Sequence, residues 1–417
     1  MDSAEREGLR PKGNVPTLRF PEFQGEWEKC KVSDLLDFYS TNSLSWDKLE
    51  YGTTNIQNLH YGLIHVGLPT MVDIDKDNLP NIIDGNVPKN YELCKEGDIV
   101  FADASEDTNE VAKAVEYYNL NGKKVVCGLH TIHGRDNKNK TVVGYKGYAF
   151  SSMSFHHQIR RIAQGTKIYS INSKNFSECY VGIPSKDEQQ KIADLLRLID
   201  ERIATQNKII DKLQSLIKGI NQRVFMNSGT NYKLGEICEI RNGYSGSQHL
   251  SKKGLKVSRI ETISGHKVNM ERVGYVAPFE SSENYRLQVG DILFSNINSV
   301  EYIGNTAFID KDYDLYHGMN LLRLTPNNMV VIPFYLYLLL NTNRMLNHFK
   351  TVCNKAVSQA SINQTELGKT VVQIPDINAQ KQICELYQAL YDKLESEKYA
   401  NSLFQKQKQY LLRQMFI

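Results

Sequence analysis

Ile183-Pro184-Ser185-Lys186-Asp187-Glu188-Gln189-Gln190-Lys191-Ile192 returns 191 residues later as Ile374-Pro375-Asp376-Ile377-Asn378-Ala379-Gln380-Lys381-Gln382-Ile383, and the correspondence continues without a gap to Phe225 and Phe416. Each copy opens a long helix. In the first, Ser185 serves as N-cap and Glu188, three residues on, predicts a capping box directly after Pro184. Its apolar residues are Ile192, Leu196, Ile199, Ile203, Ile210, Leu213, Ile217, Ile220 and Val224, in alternating steps of three and four broken only at Gln206. That 3.5-residue period is a coiled-coil seam. In the second copy Asp376 is the cap, and the seam is Ile383, Tyr387, Leu390, Leu394, Phe404, Leu411 and Met415, interrupted at Glu397, Asn401 and Lys408. Neither helix buries its stripe alone, so the two are expected to pair with each other, antiparallel. About 40 helical residues span about 60 Å.

Each helix follows a stretch of mixed apolar character, and the two stretches share an order of parts. Val32-Ser33-Asp34-Leu35 matches Leu234-Gly235-Glu236-Ile237, Gly97-Asp98-Ile99-Val100-Phe101 matches Gly290-Asp291-Ile292-Leu293-Phe294, and Ser170-Ile171-Asn172 matches Ser361-Ile362-Asn363. The Gly-Asp pair makes a turn into a buried strand. Further strands are expected in the first stretch at Gly62–Val66, Lys124–Cys127 and Thr141–Tyr145. The expected class is α+β: two mixed α/β globules in tandem repeat, separated by two long antiparallel coiled-coil helices. The predicted boundaries are 15–182 for the first globule, 183–228 for the first helix, 229–373 for the second globule and 374–417 for the second helix.

Composition bounds the function. A chain of 417 residues exceeds one hydrophobic core, and its longest apolar run, Phe334–Leu340, is far too short to span a membrane. The N-terminus lacks the layout of a signal peptide, so the cytoplasm is the expected compartment. Seven scattered cysteines without a Cys-x-x-Cys read as free thiols. A net charge of +3 permits a polyanionic partner without requiring one.

A rigid spacer with a globule at each end suits a linear polymer, and duplex DNA presents the same groove once per turn, roughly 34 Å. Candidate contacts are Arg135, Lys138, Lys140, Lys146, Arg160 and Arg161 in the first globule. Those in the second are Lys252, Lys253, Lys256, Arg259, Lys267 and Arg272, with Asn296 and Asn298 suited to adenine edges. Tyr61, and Tyr244 within Asn242-Gly243-Tyr244-Ser245-Gly246, join them; that last segment reads equally well as a plain turn.

The organisation resembles the specificity subunit of type I restriction-modification systems over nearly the whole chain. The resemblance is carried by Val15-Pro16-Thr17-Leu18-Arg19-Phe20-Pro21 through Glu26-Trp27, by Ser43–Leu49 with Asn58–His65, by Gly290–Ser295, and by Ile183-Pro184 with Glu188–Ile192. It implies two target recognition domains, each binding half of a bipartite DNA site, with the helices as spacer. It further implies two modification subunits using S-adenosylmethionine and two ATP- and Mg-dependent restriction subunits as partners. The second copy departs at Asn378-Ala379-Gln380-Lys381-Gln382, which lacks the family's usual Glu-Gln.

Catalytic motifs are missing from the sequence. There is no Pro-Pro for an Asn/Asp-Pro-Pro-aromatic flipped-base site and no Gly-x-x-x-x-Gly-Lys-Ser/Thr loop. His130-x-x-His133 and His156-His157 lack a Cys or carboxylate at ligand spacing, so neither cofactor nor metal is expected in this chain. A non-catalytic coiled-coil scaffold with protein-binding globules, and a self-contained enzyme, are the alternatives.

Overall fold

The computed structural model describes residues 13–225, 229–248, 252–356 and 359–417. The chain forms two compact units, Met1–Lys208 with Lys398–Ile417, and Ile209–Glu397. The division passes through both long helices, Lys186–Val224 and Ile377–Gln414. Each unit therefore contains a globule, the start of one helix and the end of the other. The physical reason lies in the cores. In the first unit Ile192, Leu196 and Ile199 pack in one cluster with Leu411, Met415 and Phe416. In the second, Tyr387 and Ile383 share a cluster with Ile217, Ile220 and Phe225.

The helices pair antiparallel, as expected. Within the first unit Asp200 binds Lys408 at 2.6 Å and Asn207 binds Asn401 at 2.9 Å, so seven residues forward on one helix are seven back on the other. Within the second, the Tyr387 hydroxyl donates to Asn221. The predicted pairing residues Ile192, Leu196, Ile199, Ile203, Ile210, Leu213, Ile383, Leu390, Leu394 and Phe404 all lie on the buried or half-buried face. Gln206, Glu397, Asn401 and Lys408, which break the apolar stripe, occupy seam positions too. They are inside the pairing rather than gaps in it: Lys408 and Asn401 reach partners on the facing helix, and Glu397 pairs with Lys393 on its own.

The repeated Ile-Pro-x-x-x-x-Gln has a structural cause. Gln189, fully buried, donates to the carbonyls of Pro184 and Lys140 and accepts from the Val142 amide. Gln380 repeats this with Pro375, Val330 and the Ile332 amide. One side chain thus fixes each helix start to its globule. The predicted capping box forms only in part. Ser185 accepts from the Glu188 amide at 3.4 Å, but the Glu188 carboxylate binds Arg19, at 2.7 Å to each oxygen, and the Trp27 indole. Asp376 caps the second helix through the amides of Asn378 and Ala379.

Each globule is built on four antiparallel strands of the same parts, to which the first adds Met71–Asp73, parallel to Ala114–Asn119. In the first, Thr131–Arg135 lies between Asp37–Tyr39 and Ile99–Ala102, followed by Ala114–Asn119 and Met71–Asp73. In the second, Leu321–Pro326 lies between Cys238–Asn242 and Ile292–Ser295, followed by Thr306–Phe308. The short segments Val32–Leu35 and Leu234–Ile237 are one-turn helices. Asn172 and Asn363 of the repeated Ser-Ile-Asn each cap a short helix. A further sheet of the first globule places Val125–Cys127 beside Gln57–Leu59.

Two expected strands are absent. Tyr61–Val66 is a helix, started by the His60 side chain on the Gly62 amide and stopped at Gly67, whose φ is 135°. A six-residue apolar run has no period of its own long enough to separate helix from strand. Thr141–Tyr145 is a turn entering the helix Tyr145–Phe150, its Val142 amide being taken by Gln189 instead of a neighbouring strand.

Candidate nucleic-acid interface

The equivalent strands Thr131–Arg135 and Leu321–Pro326 carry the most informative difference between the globules. Register aligns Gly134 with Leu324, each opposite the first Ile of the Gly-Asp strand, and hence His133 with Arg323 and Arg135 with Thr325. In both units the Gly-Asp carboxylate accepts a backbone amide from its own turn, Lys95 to Asp98 and Gln288 to Asp291. What else it binds differs.

In the first unit Asp98 is saturated. It accepts His133 Nε2 at 2.7 Å and Arg135 Nε and Nη2 at 2.8 Å each. Burial pushes this carboxyl up, but the hydrogen bonds from His133 and Arg135 prevail and hold it below the ordinary carboxylate range. Arg135 also binds Glu92 and the Leu93 carbonyl, and lies over the Tyr39 ring. Its predicted role as a DNA contact is therefore corrected: the guanidinium is buried and fully engaged inside the globule. Lys146 is likewise internal, ion-paired with Glu116 at 3.0 Å.

In the second unit Asp291 takes only the Thr325 hydroxyl, at 2.6 Å, besides its turn amide. Arg323, 7% exposed, donates one bond to the Arg286 carbonyl, and its Nε has no partner. Among the described residues no carboxylate pairs with it. A buried guanidinium without a counter-ion is costly unless an anion reaches it from outside. It lines a cleft of about 450 Å³ with Arg241, Asn242, Asn284, Tyr285 and Gln364. His317 lies in the same cleft, and burial, helped by the nearby Arg323 charge, lowers it to about 4, so it is neutral near pH 7. Beside the cleft, Tyr244 stacks on Phe279 at 4.1 Å and meets Tyr285 edge-on. Tyr244 is thus held in an aromatic cluster rather than in a loose turn. Arg323 was missed at the sequence level. A lone Arg inside the apolar strand Leu321-Leu322-Arg323-Leu324 was the available signal.

The first unit presents rings instead. Trp46, 45% exposed, lies 4.5 Å from the His60 ring, which lies 4.7 Å from Tyr61; Tyr61 in turn contacts His65 and His130. Burial first, then His130, lowers His60, which favours its neutral form. A ring surface of this kind can stack on a base or sugar. Tyr61 was named in advance; Trp46 and His60 were not, because only the fold brings Trp46 onto the start of the Tyr61 helix.

The other named residues scatter. Arg160 and Arg161 are exposed at the end of Met153–Ile162, Arg160 touching Asn109. Lys138 binds the Asp34 carbonyl, and Lys140 pairs with Glu28. Lys252, Lys253 and Arg272 are exposed; Lys256 faces Asp314 at 3.9 Å, Arg259 pairs with Glu261, and Lys267 with Glu395. Asn296 is corrected as a base contact: it is buried, and its backbone carbonyl holds the Ile362 amide. Asn298 bonds Ser295 and the Ser299 amide. No helix among the described residues is long and apolar enough to cross a membrane.

Comparison with known proteins agrees with the duplicated build. A family profile described as the type I restriction modification DNA specificity domain matches residues 25–215 and again 228–402. A Methanocaldococcus jannaschii chain, provisionally named the type I restriction enzyme MjaX specificity subunit, is 44% identical over 158 residues, 37% of this chain and 37% of that protein. The Escherichia coli type I restriction enzyme EcoKI specificity subunit is 25% identical over 342 residues, covering 73% of this chain and 71% of the relative. In fold, the chain is similar to the S subunit of a type I restriction-modification system from M. genitalium, with a TM-score of 0.56 at 16% identity, over 97% of this chain and 99% of the other.

Proposed function

The chain belongs to the type I restriction-modification DNA specificity family, and from that premise we propose that it is the sequence-reading subunit of such a complex. Each globular unit reads one half of a bipartite duplex site, and the paired helices set the unread gap between the halves. The observation that carries this reading is the contrast on one scaffold: Asp98 binds His133 and Arg135 inward, whereas Arg323 at the His133 position faces a polar cleft without a counter-ion. Two half-site readers need a shared frame with unlike polar surfaces, because backbone contacts position a protein and base contacts specify the sequence.

The chain's own chemistry in this reading is binding. Methyl transfer and translocation belong to two modification subunits using S-adenosylmethionine and two restriction subunits using ATP and Mg. Tyr399, Leu403 and Tyr410 form an exposed apolar stripe on the last turns of the second helix, opposite its seam, and supply a surface for such a partner. Candidate DNA contacts are Arg323, Arg241 and Tyr244 in one unit and Trp46, Tyr61, Lys138, Arg160 and Arg161 in the other.

The test is an exchange. Residues 36–179 are replaced by those of another family member, and methylated adenines are mapped with the modification partner present. One half of the recognised sequence should change and the other half and the gap should stay. Alteration of both halves would overturn the division of labour.

A further inference from the structure

The first globule gathers three metal-ligating groups, Cys94, Cys127 and His133. Cys94 precedes the Ile99–Ala102 strand and bonds through its amide to the Val125 carbonyl. Cys127 ends Val125–Cys127, and His133 lies mid-strand in Thr131–Arg135. One ligand atom from each lies within 4.8 Å of the others, and the two sulfurs are 3.4 Å apart. All three are buried, His133 completely.

We propose that Cys94, Cys127 and His133 form a buried site for one divalent cation of the zinc class. Besides the convergence of the three groups, an unpartnered buried nitrogen points to a ligand there. His133 Nε2 lies 2.7 Å from the Asp98 carboxylate, while Nδ1 is buried with no partner; an imidazole that donates from Nε2 to Asp98 keeps its lone pair on Nδ1 for a cation. A carboxylate that fixes the tautomer of a ligating imidazole in this way is the usual outer support of a zinc-bound histidine. Tyr117, fully buried, borders both thiols. The dimensions fit: tetrahedral Zn–S bonds of about 2.3 Å put two sulfurs about 3.8 Å apart, a small adjustment from the distance found.

Charge balance favours the same ion. Binding forms two metal–sulfur bonds and one metal–nitrogen bond and releases two protons, so a dication with two thiolates adds no net charge to the core. The ion joins Cys127, on the sheet with Gln57–Leu59, to His133, on the neighbouring sheet, and so clasps the recognition globule together. The inference departs from the expectation of no metal in this chain, and it does not depend on what the globule reads.

The full chain, purified from zinc-containing medium without chelator, is assayed for bound zinc, then stripped and titrated with Co²⁺. About one zinc per chain, a thiolate-to-cobalt charge-transfer band with tetrahedral d–d bands, and loss of both in the Cys94→Ser and Cys127→Ser variants are expected. Should those variants fail to fold, alkylation of the wild type decides: zinc should protect two of the seven thiols, and chelator should expose them. A chain that binds neither Zn²⁺ nor Co²⁺, one that keeps its zinc after both substitutions, or one whose Cys94 and Cys127 are recovered as a disulfide overturns the proposal.

Discussion

Two arginines of nearly the same place in the fold have opposite work. Arg135 is committed to Asp98 and Glu92, so Arg135→Ala leaves a buried carboxylate short of its partner and should cost about 3–5 kcal/mol, read as a lowered Tm. Arg323→Met removes a cation that has no carboxylate to strand. It should keep the Tm and weaken specific DNA binding by the assembled complex roughly tenfold or more, with a shallower salt dependence. Equal effects of the two on stability would refute the distinction. His317 gives a pH signature. Its folded value of about 4 lies below the unfolded value of about 6.5, so the unfolded chain binds the extra proton between them. The stability it contributes is complete above pH 6.5 and is lost as pH falls toward 4. From pH 7 to pH 5 the loss should be about 2 kcal/mol. Chemical denaturation of wild type and His317→Gln at both pH values checks this, and an undiminished loss in the variant would rule His317 out as its source.

At the scale of the element, the helix starts are held by Gln189 and Gln380. Replacing Gln380 with Leu leaves the Ile332 amide and the Val330 and Pro375 carbonyls without their partner. Unmade bonds to buried groups cost about 1–3 kcal/mol, so Gln380→Leu should lower stability by that amount or more despite being more apolar. A neutral result would mean that the repeat of this Gln has another origin. The seam is equally instructive. Its period announced both helices, yet Asn207–Asn401 and Asp200–Lys408 were invisible as pairs because they lie far apart in sequence and only the antiparallel register joins them. Such polar pairs specify register at some expense in stability. Gly62–Val66 reads as a strand in sequence yet lies in the Tyr61–Val66 helix for the opposite reason: the run is too short to display a period.

For the whole molecule, the helix pair is proposed to set the gap between half-sites. One heptad added to each helix at matched positions, between Ile203 and Leu213 and between Glu397 and Leu403, lengthens both by about 10 Å, or about three base pairs. Methylation mapping should find the gap lengthened by that amount. A heptad in the first helix alone puts the seams out of step and should abolish specific methylation. An unchanged gap after the matched insertion would contradict the spacer role.

The duplication, the two long helices, their pairing and the Gly-Asp strands follow from the sequence alone, because each is a local or periodic pattern that repeats at a fixed offset. The family likeness follows for the same reason. Only the tertiary structure decided which charges are free. Arg135 and Lys146 read as surface cations yet are neutralised by Asp98 and Glu116, while Arg323 hides in an apolar run and has no counter-ion among the described residues. Trp46 meets His60, and Cys94 and Cys127 meet His133, only through the fold. Burial and long-range pairing set the free energy of a charge or a ligand, and neither is encoded in spacing along the chain.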